Sequence, residues 1–147
     1  MKRDHVTRIG LAALVSLACV VATASAAGSK APVKGAKYSG LVGPGYHMSF
    51  RVSSNGQNVD GLVVSFLETC SPGAGSVAPK FHYGTLTIKH GKFSGSSTDH
   101  FGKTTSDVLK IDGTFDGSKA SGTVTDKSHI KSLPNCHQTE PFTATAK

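Results

Sequence analysis

The sequence predicts an all-β fold, a single antiparallel β-sandwich or small barrel of about eight strands. Three observations point there. No window beyond residue 26 sustains the 3.6-residue apolar period of an amphipathic helix, whereas short runs alternate apolar and polar side chains. Turn residues (Gly, Pro, Asn, Asp) punctuate those runs at short intervals. Residues 108–125, VLKIDGTFDGSKASGTVT, read as one hairpin turning on Asp116-Gly117, a pair that tolerates the positive φ of a type I′ turn. Pairing outward sets Phe115 opposite Ser118, Gly113 opposite Ala120, Ile111 opposite Gly122 and Leu109 opposite Val124. The other face carries only polar pairs such as Asp112/Ser121 and Lys110/Thr123. A one-residue slip would mix apolar and polar groups on both faces, so this parity is strongly specified.

Residues 1–26 read as a secretory signal peptide rather than as part of the fold. Lys2, Arg3 and Arg8 form a basic start, residues 9–21 are apolar, and Ala24-Ser25-Ala26 is a small-x-small cleavage signature. The apolar run falls short of the roughly 20 residues that span a bilayer, so no membrane span is expected in the mature chain. Cleavage leaves 121 of the 147 residues, enough for one domain. Residues 27–37 are small, polar and proline-containing, a flexible leader, and residues 38–147 form the β-domain.

Residues 38–42 start the first strand, ended by Gly43-Pro44-Gly45. Residues 48–53 alternate with Met48, Phe50 and Val52 inward, and Asn55-Gly56 turns the chain. The strand over residues 58–67 points Leu62, Val64 and Phe66 one way, with Cys70 on the same parity; Val63 and Leu67 make its other face apolar too, as for a strand covered on both sides. Residues 71–80, SPGAGSVAPK, have no periodicity and read as a loop and candidate contact surface. Leu86 and Ile88 alternate in the next strand, His90-Gly91-Lys92 turns, and Phe93 begins another. Residues 97–106 and 126–138 read as long polar connections on either side of the hairpin, and residues 140–147 close the chain as a strand with Phe142, Ala144 and Ala146 alternating. The hairpin's small inner residues Gly113, Ala120 and Gly122 leave room for large side chains such as Phe93 or Phe142 to pack over them.

Two cysteines survive cleavage, Cys70 and Cys136, and in an exported chain they most simply form one disulfide. A zinc site with His137 beside Cys136 is the sharper alternative, but no close Cys-x-Cys spacing supports it. Removing Lys2, Arg3 and Arg8 from the 16 Lys+Arg and Asp4 from the 9 Asp+Glu leaves 13 against 8, a basic mature chain of net charge +5. Its lysines are scattered, which serves solubility and strand-edge protection and leaves only a weak, salt-sensitive attraction to an anionic envelope surface.

No catalytic, cofactor-binding or metal-ligating set stands out. Six of the seven histidines survive cleavage (His47, His82, His90, His100, His129 and His137), and they form no H-x-H or H-x-x-x-H pair. The two glutamates, Glu68 and Glu140, flank the cysteines and offer a carboxylate pair of the kind glycosidases use, without a tryptophan to supply a sugar platform. No Gly-x-Ser-x-Gly elbow or phosphate loop occurs. Phe81, Tyr83, Phe93 and Phe101 would suit base stacking between lysines, but their core parity in an exported chain argues against a nucleic-acid partner.

Tyr38-x-Gly40, Phe50-x-Val52, the apolar strand leading to Cys70, Gly91-x-Phe93, Ile111-x-Gly113-x-Phe115, Ala120-Ser121-Gly122-Thr123 and Cys136 before Phe142-x-Ala144 together resemble small secreted β-rich proteins of actinobacteria with no assigned function. Where those often hold Trp in the closing strand, this chain has Phe142. The resemblance implies export, a disulfide and a sandwich-like fold, and supplies no catalytic residue. The expected function is a non-enzymatic exported module that binds an envelope component or a small ligand through the loops near the Cys70 and Cys136 end. The alternatives are a structural or inhibitor-like surface protein with broad electrostatic contacts and, with least support, a hydrolase.

Overall fold

The computed structural model describes residues 29–65, 68–69, 76–77, 80–101, 105–130 and 136–147; the segment read as a signal peptide lies outside the described residues. The strands are β1 (Lys37–Val42), β2 (Tyr46–Val52), β3 (Asn58–Ser65), β4 (Glu68–Thr69), β5 (Ser76–Val77), β6 (Lys80–His82), β7 (Leu86–Thr87), β8 (Lys92–Phe101), β9 (Thr105–Asp116), β10 (Lys119–Ile130) and β11 (Cys136–Ala146). One antiparallel sheet runs β6-β3-β2-β1-β11-β10-β9-β8, and β7 also pairs β3, farther along it than β6. Counting β6 and β7 as one position, this is an eight-stranded sheet nearly closed into a barrel. Of the two architectures the sequence allows, the barrel is the one adopted. Among the described residues no helix is long and apolar enough to cross a membrane.

Closure has identifiable parts. β7 and β8 are joined through His90 and Gly91, both at positive φ (51° and 71°), with Lys89 bridged to Lys92: a tight type I′ hairpin. The Leu86 side chain lies over Gly95, where a Cβ would come within 2.4 Å of it. Across the remaining gap Ser97 Oγ donates to the His82 carbonyl (3.1 Å) and Tyr83 Oη to the Leu109 carbonyl (2.9 Å).

The central hairpin keeps the predicted faces but not the predicted register. Its two turn residues are Gly117 and Ser118, so Phe115 pairs with Ala120, Gly113 with Gly122, Ile111 with Val124 and Leu109 with Asp126. Only Gly117 of the two has positive φ (62°), the pattern of a type II′ turn. A type I′ turn on Asp116-Gly117 would have put Asp116 at positive φ as well, a cost the observed turn avoids. The slide is by two residues and therefore preserves parity. It brings Gly113 and Gly122 side by side, and Phe93 and Phe142 pack over them as the sequence suggests: a Cβ would meet Phe93 Cζ at 2.3 Å from Gly113 and Phe142 Cε1 at 2.8 Å from Gly122.

A β-bulge in β3 is the main local feature that alternation does not reveal. Ser49 pairs with Val63 but Arg51 pairs with Asp60, so β3 carries one extra residue, and Gly61 there sits at φ 59°. The bulge flips parity, letting Val59, Leu62 and Val64 all face inward at 0 % exposure. Val63 is half-buried on the outer surface, so β3 is not covered on both sides as its sequence implies. Phe66 and Leu67 lie outside the described residues.

Four segments expected to be irregular are ordered in part. Part of the loop expected over residues 71–80 is strand, with Thr69 opposite Ser76 and Glu68 opposite Val77. The polar stretches 97–101, 105–106, 126–130 and 136–138 extend the ladders of β8 to β11. Neighbouring strands supply the backbone partners there, so no apolar alternation is needed. The segment 29–36, expected to be a loose leader, lies across one end of the barrel: Lys30 bridges Asp116 in backbone and side chain (3.1 Å), Ser29 Oγ donates to the His90 carbonyl (2.6 Å) and the Gly35 amide to the Ser53 carbonyl (3.2 Å).

The core under that end is aromatic. Tyr38 stacks on Phe50 (5.0 Å between centroids) and meets Phe115 edge-on (5.4 Å), while Phe93 lies 5.2 Å from Phe115 and 6.3 Å from Phe142. Each such ring contributes about 1.5–3 kcal/mol by burial. The Tyr38 hydroxyl accepts from the Val33 amide and donates to the Gly117 carbonyl, so this end is pinned by a satisfied polar atom.

Candidate functional site

Among the described residues two arrangements of side chains hold chemistry, one outside the sheet and one inside. The outer one follows from register. Alternation turns Ser94 and Ser96 of β8, Val108, Lys110, Asp112 and Thr114 of β9, Thr123, Thr125 and Lys127 of β10, and His137 and Thr139 of β11 outward. Strand twist leaves a hollow on this face: a groove of about 630 Å³ is lined by hydroxyls of these strands together with Lys110, Lys127, His137 and the exposed Val108. A second groove of about 510 Å³ adds Thr87, Lys89, Lys92 and Thr114 and shares Ser94 and Asp112 with the first. The two are therefore continuous across β7 to β11.

Charge along this groove is uneven. Lys110 is neutralised by Asp112 (3.0 Å), whereas Lys89, Lys92 and Lys127 make no ion pair among the described residues. His137 Nδ1 donates to the Asp126 carbonyl (3.2 Å), which fixes the ring. Thr125 and Thr139 hydroxyls lie 3.1 Å apart. The groove thus presents a row of hydroxyl donors and acceptors between ammonium groups.

The inner arrangement is acidic. Away from the aromatic end, the inward residues of β9 and β10 are Asp107, Asp126 and Ser128, only 4 %, 0 % and 2 % exposed. Ser128 Oγ donates to Asp126 Oδ2 (2.9 Å), and Asp107 Oδ1 has no hydrogen-bond partner among the described residues. Burial pushes the Tyr83 phenol well above its ordinary range and the Asp126 charge adds to the rise, so Tyr83 stays protonated.

No protein-family model, curated protein or solved structure matches the chain. The site therefore rests on its own residues.

Of the residues singled out by sequence, Cys136 opens β11 opposite Ser128, and Cys70 lies outside the described residues. Glu140 is half-buried and accepts from Gln138 Nε2 (2.7 Å), and Glu68 pairs with Val77 in the small β4-β5 sheet. Among the described residues no group of three or more His, Cys, Asp or Glu side chains is arranged to hold a metal ion. Phe81, Tyr83 and Phe93 are buried, where they are not available for stacking on bases. Sequence alone makes the hairpin a scaffold and directs attention to the loops. The groove escapes it because the lysines come from three separate segments, the turn between β7 and β8, β9 and β10, and meet only through register. Asp126 and Ser128 escape it because residues 126–138 carry too few apolar neighbours to look like strand.

Proposed function

We propose that this chain is an exported, non-enzymatic binding module that works at or outside the cell envelope and engages an anionic envelope component through the outer groove of β7 to β11. The observation that carries the reading is the alignment of Lys89, Lys92 and Lys127, un-neutralised among the described residues, with serine and threonine hydroxyls along one groove. Hydroxyls match the hydrogen bonds of a polar polymer and the ammonium groups match its charge. The composition of residues 1–26 supports export, and the net positive charge supports attraction to an anionic surface.

Co-sedimentation with an envelope fraction tests it. Binding is expected to weaken as salt rises, and Lys92→Gln or Lys127→Gln to reduce affinity about two- to fivefold each, the range for exposed charge pairs. Equal losses from Lys34→Gln or Lys80→Gln, lysines outside the groove, would instead point to diffuse electrostatic contact. Binding indifferent to salt and to all four changes would remove the proposal.

A further inference from the structure

The polar mouth of the barrel poses a charge problem that the outer groove does not answer. Asp107 of β9 lies opposite Ser128 of β10, and Asp126 is its diagonal neighbour. On one face of an antiparallel ladder, facing residues have Cα atoms about 4.5–5.5 Å apart and diagonal ones about 7–8 Å. Asp107, Asp126 and Ser128 are all buried, so two carboxyl groups and a hydroxyl belong to one patch of the inner face. Asp107 is 96 % buried, its Oδ1 has no hydrogen-bond partner, and it joins no ion pair among the described residues. A carboxylate so placed is strongly disfavoured without compensation. A hydrogen-bond donor or a cation at that atom would offset the cost.

We propose that a hard divalent cation of the calcium type binds at this mouth, on the carboxylates of Asp107 and Asp126 with Ser128 beside them. The donors are all oxygen, carboxylate and hydroxyl, which select hard cations over the nitrogen- and sulfur-seeking transition metals. Calcium accepts six to eight oxygens in loose geometry, so two carboxylates suffice when carbonyls and water complete the shell, where magnesium would demand a near-octahedral cage. The Ser128 bond to Asp126 Oδ2 holds that carboxylate in orientation. For an extracellular module a Kd of only about 0.1–1 mM is enough.

The test is a terbium titration of the mature chain. Terbium replaces calcium on oxygen ligands, and its emission is sensitised by a nearby phenol; Tyr83 is near enough to Asp126 to feel its charge. The expected result is saturable emission displaced by calcium, weakened about tenfold or more in Asp107→Asn, with Tyr83→Phe dimming the emission but leaving calcium affinity unchanged. Calcium should also raise the melting temperature of the wild-type chain and not that of Asp107→Asn. If that variant does not fold, Asp126→Asn and the wild-type melting shift carry the comparison. No saturable emission, or a metal-free gain in melting temperature for Asp107→Asn with no calcium response in wild type, overturns the proposal. Neither result touches the outer groove, whose lysines lie on the opposite face of the sheet.

Discussion

Tyr83 shows at the scale of one residue how the open seam of this barrel is bridged. β6 and β8 share no ladder, and the Tyr83 phenol crosses the interior to bond the Leu109 carbonyl at 2.9 Å. Its ring is buried and its hydroxyl proton is retained by desolvation and by the charge of Asp126. Replacing Tyr83 by Phe deletes one satisfied hydroxyl and leaves the carbonyl without that donor, which should cost about 0.5–1.5 kcal/mol at neutral pH. The alkaline behaviour follows from proton linkage. In the unfolded chain tyrosine ionises near pH 10, while folded Tyr83 holds its proton to higher pH, so above about pH 10 the native state binds more protons than the unfolded one and stability falls. The contribution is complete below about pH 10 and is lost as pH climbs towards the raised folded value. Urea titrations from pH 8 to 11 should show the wild type losing its advantage over Tyr83→Phe in that window; parallel curves would mean that the phenol is not shielded.

Among the elements, β3 is where local sequence and final geometry diverge most instructively. Met48, Phe50 and Val52 on β2, and Leu109, Ile111 and Phe115 on β9, are legible because each strand alternates without interruption and one face is buried. In β3 the same rule fails at Gly61, where one inserted residue lets Val59 and Leu62 face inward together despite their odd spacing. A glycine inside a strand hints at a bulge, but which neighbour changes face depends on the partner strand, which alternation in a single segment does not contain. The register of β9 on β10 differs from expectation by two residues for a related reason: Asp-Gly and Gly-Ser are both hairpin pairs and overlap in this sequence, and the choice rests on φ. Gly61 permits a clean measurement because a Cβ added there would meet nothing within 4 Å. Gly61→Ala should therefore cost about 1–2 kcal/mol from the positive φ alone, read as a lower urea midpoint at unchanged slope. A neutral effect would show that the bulge relaxes into an ordinary strand.

Over the whole molecule the barrel is asymmetric end to end. One end is aromatic, strapped by residues 29–36 and tied by the Tyr38 hydroxyl. The opposite mouth is polar, with buried aspartates where a core would ordinarily hold aliphatic groups. That mouth should be the less stable half, since polar burial offers little hydrophobic gain, and a covalent tie there would have most effect. Cys136 begins β11 in the rung of Ser128, and β4, whose last residue directly precedes Cys70, lies against β11. The cysteine count leads us to propose a disulfide between Cys70 and Cys136. In the chain-entropy model, such a bond closing the long loop between residues 70 and 136 would stabilise the fold by roughly 4 kcal/mol. Protein exported to an oxidising compartment should then resist alkylation until reduced, and reduction or Cys136→Ser should lower the unfolding midpoint by a large fraction of a small domain's stability. The discriminating detail is where the loss is felt. If the tie holds the polar mouth, hydrogen exchange after reduction should quicken first in residues 126–130 and 136–140 while the amides of Phe50 and Phe115 stay protected. Uniform acceleration through both ends would make the disulfide a general staple, and two alkylatable thiols in the native exported protein would exclude it.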